Sequence, residues 1–195
     1  MKTQTNNTFR SVILESASRY ADKHALSFVG EEGYTYSETF NRIEAMAAFL
    51  EKLGISKGDK VALVGPNSPE WVISYLGVVY LGAIIVPILY DFSPEEVYSI
   101  LEHSEARVII TDDKTNNSLE NYPDSLQFVI SLNDYSFLRN TGGKIAFSGN
   151  DKPALKLDID ADDMAAIKFK AYGKCRSIFL PRAFALPDGR PVKIK

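Results

Sequence analysis

The chain has a single cysteine, Cys175, among 195 residues. That excludes an internal disulfide framework and fits a reducing compartment. Histidine is nearly as scarce. His24 and His103 lie far apart with no cysteine close to either, which argues against a His-based zinc site. His103 follows Leu101 and Glu102 at an expected helix end, where a partly charged imidazole suits the helix dipole. Residues Met1 to Asn7 are polar and contain no apolar h-region, so secretion is not expected and a cytoplasmic location is. Peripheral contact with a membrane stays open. The glycine-rich dinucleotide fingerprint, the phosphate-binding P-loop and the nucleophile elbow are all missing, and no internal repeat is present.

Formal charge is also missing from one long run. Trp71 to Tyr90 is twenty residues without Asp, Glu, Lys or Arg, long enough to cross a bilayer. Its near flanks, Glu70 and Asp91, are acidic, and no Lys or Arg lies between Lys60 and Arg107. The basic cluster that orients a membrane span is therefore absent. Gly82 and Pro87 divide the run. Its first part follows Ser68-Pro69, a helix start with Ser as N-cap and Pro at the first helical position. Its second part, Ile84-Ile-Val-Pro-Ile88, is short and β-branched, as a strand buried on both faces should be. A helix followed by a buried strand is expected, and no transmembrane segment.

What is present is an alternation of helices and strands in an ordinary globular composition, 45% apolar and 24% charged. Phe9, Val12, Ile13 and Ala17 repeat at helical spacing from Thr8 to about Tyr20. Ala25 to Val29 reads as a short strand. Thr35-Tyr-Ser-Glu38 is a capping-box pattern opening a helix that runs to about Leu53, with Gly54 where a C′ glycine is wanted. Val61 to Val64 is an apolar strand. Ser93-Pro-Glu-Glu96 is a second capping box with Pro at the first helical position. Arg107 to Thr111 and Gln127 to Leu132 are further strands, and the signal weakens from Asn133 to Asp163. Alternating strands and helices with short connections imply parallel strands and right-handed crossovers. The fold class is α/β: a partial doubly wound, mostly parallel sheet flanked by helices, with a poorly defined basic C-terminal tail.

Three places invite a chemical reading. Asp158, Asp160, Asp162 and Asp163 resemble the start of a calcium loop, but positions six and twelve are then Asp163 and Phe169, not Gly and Glu. A solvated turn is expected there and no metal site. Pro66-Asn-Ser-Pro69 falls at a strand's carboxyl end and a helix N-terminus, where ligands bind in such sheets. Asn and Ser are also plain turn and cap residues, and that reading is favoured. Cys175 stands among Lys170, Lys174 and Arg176, which would lower a thiol pKa, yet no histidine can be assigned to it and an inert thiol is the better reading.

Charge then changes sign. Residues 1–163 carry 14 Lys+Arg against 24 Asp+Glu, a net of −10. Residues 164–195 carry eight Lys+Arg against Asp188 alone, a net of +7. The plain meaning of such a run is a solvated tail.

Site chemistry goes no further, but resemblance does. Five pieces stand in order: Tyr34-Thr-Tyr-Ser-Glu38, Leu53-Gly-Ile-Ser-Lys-Gly-Asp-Lys-Val-Ala62, Pro66-Asn-Ser-Pro-Glu-Trp71, Gly82-Ala-Ile-Ile-Val-Pro87 and Ile100-Leu-Glu-His-Ser-Glu-Ala106. Together they resemble the N-terminal region of AMP-forming acyl-CoA synthetases, the adenylate-forming or AMP-binding enzymes. Leu89-Tyr-Asp91 is most similar to the long-chain fatty acid branch, and Asp162-Asp-Met-Ala-Ala-Ile167 looks like the strand leading into the family's phosphate loop. The resemblance implies that a carboxylate attacks the α-phosphate of ATP to give acyl-AMP and pyrophosphate, and that the thiol of CoA then displaces AMP. It implies ATP, magnesium and CoA as cofactors and a fatty acid as substrate.

The resemblance fails at Lys168. The family continues with a Ser/Thr/Gly-rich loop, whereas this chain reads Lys168-Phe-Lys-Ala-Tyr-Gly-Lys-Cys-Arg176. The later tyrosine-glycine-x-threonine-glutamate motif and the ribose-binding aspartate are also missing. No nucleotide-binding residue is identifiable, and no residue present supports ATP, magnesium or CoA by itself. The ending Leu186-Pro-Asp-Gly-Arg-Pro-Val-Lys-Ile-Lys195 resembles the family's C-terminal end at Leu186, Pro187, Lys193 and Ile194. On that alignment Lys193 corresponds to the lysine that contacts substrate carboxylate and α-phosphate. It is the one catalytic candidate, and it stands only if the tail is that end. The expectation is an N-terminal α/β subdomain over residues 1–167 and a divergent basic tail over 168–195, arising by deletion, by a frameshift or as a genuine tail. Such a chain is expected to be inactive alone, with room for a separately encoded remainder. The competing expectation is a non-catalytic interaction module whose basic tail binds a partner or polyanion. Nucleic acid is not the expected partner.

Overall fold

The computed structural model describes residues 8–139, 145–154, 164–169 and 177–181. Helix α1 spans Phe9–Arg19 and is capped by the Thr8 side chain, which accepts from the Ser11 N–H. Strands β1 (His24–Leu26) and β2 (Tyr34–Thr35) form a small antiparallel pair. Helix α2 (Tyr36–Lys52) begins at the capping box expected from sequence: Thr35 Oγ1 accepts from the Glu38 N–H, and the Glu38 carboxylate accepts from the Thr35 N–H. Strand β3 (Lys60–Val64), helix α3 (Pro69–Leu81) and strand β4 (Ile84–Pro87) follow. The charge-free run is thus a helix and a strand. Gly82 divides them with φ +102°, a left-handed cap that a side chain would strain. No helix of the described residues is long and apolar enough to cross a membrane.

Helix α4 (Pro94–Ser104) starts on the second capping box, Ser93–Glu96, and carries His103 in its last turn as expected. After it come β5 (Val108–Thr111), α5 (Asp113–Ser118), β6 (Phe128–Ser131), β7 (Phe137–Arg139), β8 (Met164–Phe169) and β9 (Ser177–Pro181). The larger sheet has the order β7-β6-β5-β3-β4-β8-β9. Its inner five strands are parallel, and β7 and β9 are antiparallel edges. The mostly parallel α/β architecture expected from the sequence is what is found.

Several sequence boundaries shift. The strand expected from Ala25 to Val29 stops at Leu26, and Val29 is fully exposed. Strand β5 begins at Val108, one residue after Arg107, whose guanidinium lies at the sheet's amino end. It donates to Asp59 Oδ2 at 2.7 Å, to the Gly54 carbonyl at 3.1 Å and to Gln127 Oε1 at 2.9 Å. Neither α5 nor β7 was expected. Helix α5, Asp-Lys-Thr-Asn-Asn-Ser, has no apolar periodicity, and β7 is three residues long. Strand β8 runs through Ile167 and Lys168 to Phe169 and pairs with β9. Asn140-Thr-Gly-Gly143, the aspartates 158–163, Cys175 and Lys193 lie outside the described residues.

Each parallel strand serves two cores, because alternate side chains leave opposite faces. Val61, Leu63, Ile85, Val108 and Ile110 face α2 and α3, where Ile43, Met46, Phe49 and Ile73 meet them. Ala62, Val64, Val86, Ile109 and Val129 face the side covered by Val97, Ile100 and Leu101 of α4. The register keeps these rows aligned: Val86, Ala62, Ile109 and Val129 are lateral neighbours across four strands. Residues 145–154 cross the outside of α2. Lys152 pairs with Glu44, Lys52 with Asp151, and the Ala154 N–H donates to Glu51 Oε2 at 2.8 Å. Phe147 packs edge-on against Phe49.

Helix α3 approaches α2 closely at Gly77. A Cβ there would lie 2.5 Å from Met46 Cγ and 2.7 Å from Met46 Cβ. Gly77 therefore sets how closely the two helices approach. Gly77→Ala forces them apart and is expected to cost about 1–3 kcal/mol, the usual scale of overpacking a filled core. Urea denaturation followed by circular dichroism measures it; an unchanged midpoint would contradict the tight-approach reading.

Candidate functional site

Parallel strands place their carboxyl ends along one edge, and in open α/β sheets that edge is where ligands bind. Among the described residues it is built from four connections, those after β3, β4, β5 and β6. After β3 come Gly65-Pro66-Asn67-Ser68, leading into α3. Pro66 and Asn67 are exposed. The Ser68 Oγ accepts from the Trp71 N–H at 3.1 Å, and Pro69 takes the first helical position. Pro66 to Pro69 thus stands at the edge expected from sequence, and its serine acts as the cap. Gly65 lets Leu132, in the connection after β6, pack close, since a Cβ on Gly65 would meet Leu132 Cδ2 at 2.5 Å.

After β4, Tyr90 donates its hydroxyl to Asp112 Oδ2 at 3.0 Å, and Lys114 Nζ sits 5.0 Å from the Tyr90 ring centre. The bond to Asp112 raises the Tyr90 pKa, because the tyrosine must stay protonated to donate. After β5, the other Asp112 oxygen caps α5 by accepting from the Thr115 N–H at 3.0 Å. After β6, Asp134 Oδ1 accepts from the Ser136 N–H at 3.0 Å and from its hydroxyl at 2.8 Å. Those bonds hold the Asp134 carboxyl below the usual carboxylate range. Tyr135, at φ +60°, turns inward, where burial pushes its pKa up. Its hydroxyl donates to the Glu70 carbonyl at 3.3 Å and lies 3.5 Å from Ser74 Oγ.

Sequence reasoning found the β3 connection and missed the other three. Asp112 was readable, as an N-cap aspartate directly after a strand. The Tyr90–Asp112 pair spans two connections and carried no local signal. A shallow cavity of about 220 Å³ opens beside this edge, lined by Leu26, Phe28, Asn67, Ser68, Pro69 and Val72.

Among the described residues, the polar groups of this edge serve its architecture. Tyr90, Asp112, Ser68 and Asp134 each spend a hydrogen bond on holding a connection in place. A phosphate cradle needs amides and hydroxyls aimed outward, and these groups do not supply one. Among the described residues, no group of three or more His, Cys, Asp or Glu is placed to hold a metal ion. The residues sought as chemistry do not converge: His24 begins β1 and His103 ends α4.

The family model for AMP-binding enzymes matches residues 13–169, through the last residue of β8. The chain belongs to the AMP-binding enzyme family. Among curated relatives, the long-chain-fatty-acid–CoA ligase of Bacillus subtilis is 39% identical over 108 residues, covering 55% of this chain and 19% of that protein. The 4-hydroxybutyrate–CoA ligase 2 of Metallosphaera sedula is 34% identical over 122 residues, covering 62% of this chain and 22% of that protein. The chain therefore spans about a fifth of the length of these relatives. Among solved structures, the Mycobacterium tuberculosis fatty acyl CoA synthetase superposes with a TM-score of 0.72 at 23% identity, over 90% of this chain and 35% of that one. The N-terminal subdomain of Klebsiella oxytoca NpsA in complex with 3-hydroxyanthranilyl-AMSN gives 0.72 at 25% identity, over 93% and 43%. These likenesses show the fold of an N-terminal region of adenylate-forming enzymes.

Two outcomes follow from the edge geometry. Ser68→Ala leaves the Trp71 N–H without its cap and is expected to cost about 1 kcal/mol, read as a lower urea midpoint. Asp134 has a depressed folded pKa, so its contribution is present above about pH 4 and is lost as pH falls through the lower folded value. Asp134→Asn should flatten the acid limb of the stability–pH curve and leave its neutral-to-alkaline limb in shape; an unaltered acid limb would contradict the role given to the Ser136 bonds.

Proposed function

We propose that this chain is the N-terminal scaffold of an AMP-forming acyl-CoA ligase of the fatty acid type and does not adenylate by itself. The observation that carries this is the sequence at the end of the family match. Where the family has a Ser/Thr/Gly-rich phosphate loop, the chain has Lys168-Phe-Lys-Ala-Tyr-Gly-Lys-Cys-Arg176, with no Ser or Thr and one glycine. The sequence thus has Lys and Arg where the resemblance calls for Ser, Thr and Gly, whose bare amides and hydroxyls would meet the leaving phosphates. The fatty acid assignment draws on the Bacillus subtilis relative and on Leu89-Tyr-Asp91.

In the parent reaction ATP activates a fatty acid to acyl-AMP, magnesium neutralises the phosphates, and CoA accepts the acyl group. This chain would contribute the parallel sheet against which the remaining machinery is built. We place the seam between family-like sequence and basic tail at Ile167–Lys168 and the protein in the cytoplasm. Lys193 retains a catalytic role only as the counterpart of the family's C-terminal lysine. Residues supplied separately would then complete the site.

An ATP–pyrophosphate exchange assay with magnesium and a panel of fatty acids tests this. No exchange above the protein-free rate is expected. Fatty-acid-dependent exchange by this chain alone would overturn the inactivity and the missing-cradle argument together.

A further inference from the structure

Residues 145–154 lie across the outside of α2 as a strap. Ile145 and Phe147 are half-buried and pack against the core, whereas Ala146 and Ser148 are exposed. One side of the strap thus faces the fold. Its backbone is nevertheless part of neither sheet. Among the described residues, that backbone makes one bond within the strap and one to the rest of the fold. The Asp151 N–H donates to the Ser148 carbonyl at 3.3 Å, and the Ala154 N–H donates to Glu51 Oε2 of α2 at 2.8 Å.

Side chains of two kinds do the rest of the holding. The first kind is charged. Lys52 pairs with Asp151, and Lys152 pairs with Glu44. Two neighbouring strap residues of opposite sign therefore each meet the opposite charge on α2. Lys52 and Lys152 keep 51% and 65% of their side-chain surface in water. Pairs so exposed contribute little each and are screened by salt. The second kind is aromatic. The Phe147 ring stands edge-on to Phe49 at 5.8 Å and 4.5 Å from the ring of Tyr135. Phe49 in turn meets Phe137 at 5.9 Å. Lifting the strap uncovers these three rings and breaks no strand pairing. A segment with so few backbone bonds opens at a lower free energy than the strands beneath it.

Tyr135 joins the strap to the carboxyl edge. Its backbone is left-handed, with φ +60°, which is rare for a bulky residue. Its ring meets Phe147, and its hydroxyl donates to the Glu70 carbonyl and lies 3.5 Å from Ser74 Oγ. Glu70 is in the first turn of α3, and Trp71 beside it gives its N–H to the Ser68 cap. One side chain therefore spans from the strap to the connection between β3 and α3.

We propose that residues 145–154 are a charge-latched strap that opens as a unit before the sheet unfolds, and that Tyr135 carries its state to the start of α3. Closed, Phe147 holds Tyr135 against Glu70 and Ser74. Open, Tyr135 loses that support and the connection from Asn67 to Trp71 loosens. The device goes beyond the function proposed above and needs neither ATP nor an acyl group, so the two stand or fall separately.

The test is amide hydrogen exchange of the full chain, with fluorescence of Trp71, its one tryptophan, read alongside. The Ala154 amide reports the latch, because opening breaks its bond to Glu51. Raising sodium chloride from about 0.05 to about 0.5 M shortens the screening length about threefold. Exchange at Ala154 should then quicken about tenfold, while amides of β3 and β5 stay protected. Lys52→Glu sets two carboxylates together and should quicken it about tenfold at low salt; adding Asp151→Lys should restore it. Trp71 emission should shift as the strap opens, and the shift should vanish in Tyr135→Phe. Phe147→Ala, which removes the ring against Tyr135, serves if that variant does not fold. Ala154 exchange that ignores salt, or that quickens only in step with β3, would overturn the latch. So would failure of the charge-swapped pair to restore protection. Trp71 emission that stays fixed while the strap opens, or still shifts in a folded Tyr135→Phe or Phe147→Ala protein, would overturn the route through Tyr135.

Discussion

The structure depends on covering both faces of a parallel sheet. Strands β3, β4, β5 and β6 lie side by side with no face left for water, so every residue from Val61 to Val64 must be apolar and must meet a helix. One face is met by α2 and α3, and their mutual distance is fixed where Gly77 lies against Met46. The other is met by α4. Burial of this kind is the largest favourable contribution in such a domain. It also explains the uncharged run from Trp71 to Tyr90: most of α3 and β4 is buried. A length of sequence that could have crossed a bilayer instead fills the middle of a protein.

The two ends of the sheet are treated differently. At the amino end, Arg107 ties Asp59, Gly54 and Gln127 together and closes the connections to one another. At the carboxyl end, short polar links hold four connections in place and leave Pro66, Asn67 and Leu89 facing outward. An edge of that kind presents a surface on which further residues can be built. This fits a chain whose family membership is plain while its described residues contain no catalytic constellation.

Much of this was legible because local physics wrote it. Thr35–Glu38 and Ser93–Glu96 are capping boxes in the sequence and in the structure, and Pro69 and Gly82 bracket α3 as their backbone preferences require. The strands of the parallel core announced themselves as short β-branched runs. What stayed hidden was short or assembled from distant parts. Helix α5 is all polar and holds to its Asp112 cap, and β7 is made by pairing with β6. Tyr90 and Asp112 lie 22 positions apart, and Lys52 and Asp151 lie 99 apart. Residues 168–176 are legible in another way, as a basic run where the resemblance leads one to expect a Ser/Thr/Gly-rich loop.

In the proposed function this sheet is present without the means to hold an adenylate. Equilibrium titration of the chain with a non-hydrolysable acyl-adenylate analogue and magnesium tests it most directly. No saturable binding is expected, in a protein that melts cooperatively. Stoichiometric binding, with a melting temperature raised by the analogue, would contradict it.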